Sequence, residues 1–341
     1  MKKYLLIVIL LITTFISNAQ ISAQKAKQDS LQAHLDSLNA LQNTGSAPQD
    51  TSSVPLDTVW RRGGIFSLNL SQVSLTNWSA GGENSIGANA IINYFTNYKK
   101  GKHAWDNNID LEYGVIKQGK AGKLTKSVDK IELNTIYGYK ASKNWYYGVL
   151  GNLRTQFTAG YNYPDDSTII SNFMAPGYLS LALGMYYKPD NTFSVFLSPA
   201  TIRGIFVQEE ILSQKGSFGV DTGKSERTEI GAYIKAMVNK DFSADFNLQT
   251  SLELFSNYKE KPQNVDVNWQ LLLSYKLNKF ISATLTAQLI YDDNTKLTFY
   301  KGDGVTVDHY GPGVQFREVL GVGFAYSPVS YSTRPSVKPT P

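Results

Sequence analysis

Three carboxylates stand on one side of the stretch WDNNIDLEYGV, residues 105–115: Asp106, Asp110 and Glu112. Successive side chains of an extended chain point to opposite faces, so Asp106, Asn108, Asp110, Glu112 and Gly114 form one polar row. Trp105, Ile109, Leu111, Tyr113 and Val115 form the opposite, apolar row, with Asn107 its polar exception. A wall of acids can line a path for ions or polar solutes, or it can be neutralised by cations from facing walls and fill the space between them. The same alternation downstream places Glu132, Glu229, Asp245, Glu253 and Asp266 on polar rows, together with Arg154, Lys235, Lys276 and Arg317. Lys140 and Lys188 fall there too. Both signs are present, so these rows imply neither cation nor anion preference.

Other chemistry has less to work with. The histidines are His34, His103 and His309. Asp308-His309, with Asp165-Asp166 or Asp292-Asp293 from other loops, meets only loosely the Asp pair and Asp–His pair of an omptin-like protease, which stands as a remote alternative. Asp292, Asp293, Asn294, Asp303 and Asp308 offer oxygen ligands, but not at the spacing of a known calcium loop. Gly81-Gly82 lacks the strand-to-helix setting of a phosphate cradle. There is no cysteine, which excludes disulfides, thiolate metal sites and a cysteine nucleophile. The net charge of +5 is spread along the chain without a basic stripe, so nucleic acid is not an expected partner. No enzyme activity, cofactor or metal is expected. Lys117, Lys120, Lys123 and Lys126 read as a solvated loop that could also hold lipid phosphates as point charges.

The elements that carry the polar rows repeat one design. Alternation predicts twelve strands, near 64–75, 86–98, 104–116, 128–140, 144–160, 177–188, 192–199, 226–240, 243–256, 265–278, 281–292 and 314–326. The seventh ends at Pro199, which cannot donate to a sheet ladder. Short turns (YKKGKH, KASKN, KPDNT, NKDFS, LNKF) alternate with longer loops, the pattern of an outer-membrane barrel with its turns in the periplasm. Charged residues make up 18% of the chain, below the ~25% of ordinary soluble domains. Aromatics are abundant, with 21 Tyr, 16 Phe and 5 Trp, and Tyr98, Trp105, Trp145, Tyr187, Phe193, Phe242 and Phe280 flank the short turns as an interface girdle would. The predicted fold is an all-β, closed, antiparallel up-and-down transmembrane barrel of about twelve strands over residues 60–327.

Residues 1–19 read as a signal peptide: Lys2 and Lys3, an apolar run from Tyr4 to Ile16, and Ser17-Asn18-Ala19 as the cleavage site. Residues 20–59 read as a short periplasmic helix, striped by Leu31, Leu35, Leu38 and Leu41, and a flexible linker rich in Gly, Ser and Pro. Residues 328–341 read as a flexible tail. The stretch Thr76-Asn77-Trp78-Ser79-Ala80-Gly81-Gly82-Glu83-Asn84, with the Trp60 start and the barrel pattern, resembles a Bacteroidota outer-membrane β-barrel family of unknown function. That resemblance implies a fold and a location but no activity. The expected partners are outer-membrane lipid and lipopolysaccharide, the barrel-assembly machinery, and a periplasmic protein docking on residues 20–59. The functional expectation is a narrow passive channel or transport-associated barrel with a charged lumen. The alternative is a non-conducting structural or interaction barrel.

Overall fold

The computed structural model describes residues 58–75, 83–119, 122–163, 165–301, 306–327 and 329–333. The expected signal segment and N-terminal helix lie outside them, as do residues 76–82, Lys120, Asp303 and the chain beyond residue 333. The described residues other than Phe242–Ala244 form one unit, the barrel.

Twelve strands form its wall: β1 (Thr58–Val73), β2 (Ser85–Lys100), β3 (His103–Gln118), β4 (Leu124–Lys140), β5 (Trp145–Thr155) and β6 (Gly177–Tyr187), then β7 (Phe193–Phe206), β8 (Glu226–Asp241), β9 (Phe246–Asn257), β10 (Asp266–Lys276), β11 (Ile281–Tyr291) and β12 (Gln315–Tyr326). Each pairs antiparallel with the next, and β12 pairs with β1, so the sheet closes on itself. The alternation read from the sequence is the inside–outside alternation of the wall. On β5, Leu150 is 0% exposed and faces in, while its neighbour Val149 is 47% exposed and faces out.

Outward rows stay apolar around the whole ring, including Leu68, Ile92, Ile109, Leu133, Leu181, Ile202, Ile234, Leu252 and Leu320. At the short-turn end the aromatics touch one another. Trp60 lies 5.0 Å from Tyr98 and 6.4 Å from Trp105, and Trp145 lies 4.9 Å from Tyr187, which in turn meets Phe193 at 6.4 Å. Asn107, the polar exception, sits in this belt, where Thr135 donates to its Oδ1 and Trp105 Nε1 donates to Thr135.

Three of the departures from the expected boundaries have a local reason. β7 runs through Pro199 to Phe206 because the ladder bulges there. Its register passes from Leu197–Met185 to Ala200–Leu183 on the β6 side, and from Ser198–Tyr233 to Thr201–Gly231 on the β8 side. The Ser198 hydroxyl donates to Leu183 O and accepts from Ala200 N, replacing ladder bonds around the proline. The extra residue flips the parity, so Phe196 and Ser198 face in before it, and Thr201, Arg203 and Ile205 face in after it. β5 stops at Thr155 rather than near 160 because the Asp129 carboxylate accepts from the amides of Phe157 and Thr158. Val329–Thr333, expected in the tail, instead continues the closing strand beyond Pro328 and pairs with Thr58–Gly63 of β1.

The lumen is not polar throughout. Ala104, Ile136, Tyr146, Leu150, Ala182, Tyr186, Phe196, Tyr233 and Phe255 pack together inside, with Met237 against them. Gly148 makes room for this packing, since a Cβ there would lie 2.7 Å from the Phe196 ring and 3.2 Å from Tyr186 Cβ. One side of the interior is therefore a close-packed apolar core, and the charges share what remains.

Candidate functional site

Nearest the short turns, Asp106 accepts from Tyr186 Oη at 2.7 Å and from Lys188 Nζ at 2.6 Å. Asn93 donates to the neighbouring Asp110. These side chains line a cavity of about 210 Å³ that opens toward the short-turn end and includes Arg61, Glu112, Lys130, Glu132, Asp190, Lys235 and Arg317.

At the waist the side chains cross the lumen. Lys130 Nζ donates to Gln270 Oε1 on the facing β10, and Gln270 Nε2 donates to Glu132 Oε2 at 2.8 Å. Lys235 on β8 donates to Asn134 on β4 and, at 2.6 Å, to Glu253 on β9. Asn152 donates to both Glu132 and Asn134. Arg317 on β12 donates to Glu112 on β3 at 3.0 Å, and Asn89 donates to the other oxygen of Glu112 at 3.1 Å. A buried ion survives only where its partners replace the water it has lost, and here each carboxylate is met by amides and cations from several strands.

Toward the long loops, Arg203 grips Glu229 through Nε at 2.7 Å, reaches Asp266 through Nη2, and lies 3.9 Å over the Phe255 ring. Arg154 stacks 4.9 Å over Tyr178, with Nη1 3.9 Å from Glu253. Together with Asp129, Arg317 and Asp292 they line a second cavity, of about 330 Å³. The two cavities share three lining residues, Lys130, Gln288 and Arg317.

Loops 156–176 and 207–225 form a fixed cover on one side of this mouth. Ala175, Ile205, Val207, Leu212 and Val220 make a small apolar core that includes the helix α1 (Glu210–Gln214). Asn172 bonds Glu209 at 2.7 Å, and Arg227 ties Gly219 O to Glu260. Lys261 Nζ bonds Asp293 at 2.8 Å, holding the 258–265 loop to the 292–296 segment. That ammonium keeps the Asp293 carboxyl below the ordinary carboxylate range, and the Lys261 ammonium is raised in return. A depressed carboxylate contributes above its unfolded pKa, near ~3.9, and loses its contribution as pH falls through the lower folded value. Amide protection factors in residues 258–264, taken against the intrinsic exchange rate at each pH, are therefore expected to stay flat from pH 8 to 5 and to fall below about pH 4. In Lys261→Met they should already be low at pH 7, and an identical protection profile in the two proteins would remove the tether.

His309 bonds Asp308 at 2.9 Å and stacks 4.6 Å from the Phe299 ring. Asp165 is held by Ser167 and Asp166 by Lys123, so the loop acids weighed for a protease each have a neighbour of their own. Among the described residues no group of His, Asp or Glu is arranged to hold a metal ion.

Residues 70–161 match a family model described as "Protein of unknown function (DUF3078)". The span runs from the end of β1 past β5 and carries Asp106, Asp110, Glu112, Glu132 and Arg154. Its description agrees with the resemblance read at Thr76–Asn84 in naming no activity. Among curated proteins none matches. Among solved structures, an outer membrane channel from Pseudomonas putida F1 is similar over 83% of this chain and 99% of its own, at 11% identity and a TM-score of 0.34. The NanC porin is similar over 78% and 98%, at 10% identity and 0.31. The translocator domain of the autotransporter NalP from Neisseria meningitidis is similar over 87% and 97%, at 11% identity and 0.26. Similarity at this level carries no functional argument.

Of the charges predicted to face the lumen, Asp106, Asp110, Glu112, Glu132, Arg154, Glu229, Lys235, Glu253, Asp266 and Arg317 lie on the inner face. Two do not reach the interior. Asp245 lies in the exposed turn before β9, which begins at Phe246, and Lys276 ends β10 at the exposed rim. Sequence reasoning missed Arg203, the most densely bonded cation of the upper chamber, because the strand carrying it was ended at Pro199. The renewed alternation of Thr201, Arg203 and Ile205 against Ile202, Gly204 and Phe206 was the available signal.

Proposed function

We propose that this protein is an outer-membrane barrel that passes small polar solutes through a divided lumen rather than through an open pore. Apolar outward rows on strands all around the ring and an aromatic belt at the short-turn end support membrane placement, with the short turns periplasmic. The observation that carries the transport reading is the pair of chambers, about 210 and 330 Å³, whose common walls are three long unbranched side chains, Lys130, Gln288 and Arg317. Such side chains change rotamer without moving the backbone, so the waist can open without unfolding the barrel.

Charge balance narrows the solute class. Arg61, Lys130, Lys188, Lys235 and Arg317 face Asp106, Asp110, Glu112, Glu132 and Asp190 around the lower chamber. Lys130, Arg154, Arg203 and Arg317 face Asp129, Glu253, Asp266 and Asp292 around the upper one. Walls with equal numbers of both signs favour neutral or zwitterionic solutes over ions of either sign. In planar bilayers the wild type should show steps well below those of a general porin recorded alongside, and a reversal potential near zero in a KCl gradient. Lys130→Ala with Gln288→Ala should raise the step severalfold. Silence from both proteins, together with no uptake of a neutral sugar or a zwitterionic amino acid in liposome swelling, would sink this reading and favour the second one, a non-conducting scaffold, for which the dense pairing at the waist speaks.

A further inference from the structure

Ion pairing around the upper chamber leaves one cation and one carboxylate over. Asp129, Lys130, Glu253 and Arg317 each pair, at 2.9, 3.5, 2.6 and 3.0 Å, with a residue that does not line it. Arg203 pairs with Asp266. Of the charges that line the chamber, Arg154 and Asp292 remain.

Arg154 stacks on Tyr178, and no described residue accepts a hydrogen bond from its guanidinium. The carboxylate oxygen beside it, on Glu253, is 3.9 Å away, and Glu253 is already bound by Lys235. Only Nη1 is enclosed, while the side chain as a whole is 21% exposed, so Nε and Nη2 face the chamber. Those two nitrogens are one fork of the planar guanidinium, the kind that takes a carboxylate through two parallel bonds. Asp292 accepts one bond, from the Asn294 amide to Oδ1 at 2.8 Å, and its Oδ2 has no partner among the described residues. Arg203 lies within electrostatic reach of it but directs its donors to Glu229 and Asp266.

The register sets these two poles apart. Arg154 reaches across the lumen to the level of Glu253, which pairs with Asn268 of β10, which pairs in turn with Ile290 of β11. Asp292 is the next inner position beyond Ile290, ~6.6 Å nearer the long loops and two strand spacings of ~4.8 Å around the wall from Glu253. The two groups form no ion pair with each other, yet one small molecule can touch both.

We propose that the upper chamber binds an α-amino acid as its zwitterion, the carboxylate on Arg154 and the ammonium on Asp292. Such a molecule meets both leftover ions and adds no net charge to a lumen whose other ions are paired. A simple anion or cation would meet one and leave the other stranded. The volume of about 330 Å³ lies at the small end of the ~300–1,000 Å³ of ligand pockets. The inference rests on the solute class argued above and names its two ends. It is read by binding, so a silent bilayer leaves it standing, and passage of a neutral sugar without the preference below would overturn it alone.

Saturation-transfer NMR on the full-length protein in detergent micelles at pH 7 compares alanine with its two halves. Propionate lacks the ammonium, and ethylammonium lacks the carboxylate. Variants are first checked for heat-modifiable migration. Alanine should bind at least fivefold tighter than either half. Asp292→Asn keeps an oxygen for the Asn294 amide but removes the charge, and should lower alanine to the affinity of propionate. Arg154→Gln should lower alanine to the affinity of ethylammonium and leave ethylammonium itself unchanged. If Arg154→Gln does not fold, Asp292→Asn decides alone. No binding of alanine, binding no tighter than that of either half, or a preference that survives Asp292→Asn would overturn the proposal.

Discussion

Lys235→Met should lower stability by about 3–5 kcal/mol, read as a shift of the guanidinium unfolding midpoint in detergent micelles. The Lys235 side chain is 2% exposed and donates to Asn134 and Glu253. Its removal leaves Glu253 with Asn268 at 3.3 Å and Arg154 at 3.9 Å, contacts too long to replace a charge-assisted bond of 2.6 Å. Most of the loss is the penalty of stranding a carboxylate and not the net value of the pair, because desolvating both ions offsets much of their attraction. The distinction is testable. Adding Glu253→Gln, which keeps a polar group for Asn268 but removes the charge, should recover the larger part of the loss. If the double variant is as unstable as the single one, the waist is held by lysine packing rather than by charge pairing.

The same residues show how far the sequence could be read. The twelve strands were legible because one wet face and one greasy face impose a period of two that survives on every stave, as in Trp105–Val115. The lumen charges on β3, β4 and β8 followed from that period alone. What stayed hidden is non-local. Parity says that Glu112 and Arg317 both face in, but not that β3 and β12 bring them to 3.0 Å across the ring. Pro199 ended a strand on sound local grounds, and only the bulge, with Ser198 substituting for the ladder, carries the chain on to Arg203. Tyr146, Leu150, Tyr186 and Phe196 lie at inner positions, yet the sequence reading placed only polar chemistry there. A barrel interior filled from one side is a packed core, so inward apolar residues needed no water-facing explanation.

That packed side sets the second large expectation. Phe196→Ala should cost about 3–5 kcal/mol, the usual penalty when a fully buried ring is truncated and the cavity only partly collapses. The site has little freedom to collapse. Phe196 is wholly buried among Tyr186, Tyr146 and Leu150 on ladders paired on both sides, and Gly148 offers no side chain to move into the gap. The vacated volume adjoins the lower chamber, whose lining already includes Tyr186, Ile136 and Met237. The variant should therefore be less stable and also more permeable to small solutes in liposome swelling, with Lys130→Ala and Gln288→Ala as the comparison that leaves the apolar side of the lumen intact. A rise in permeability without loss of stability would mean that the ring is a gate rather than core. A loss of stability without any rise would mean that the charged waist alone limits passage, and that the apolar side of the lumen serves only to hold the strands bearing those charges.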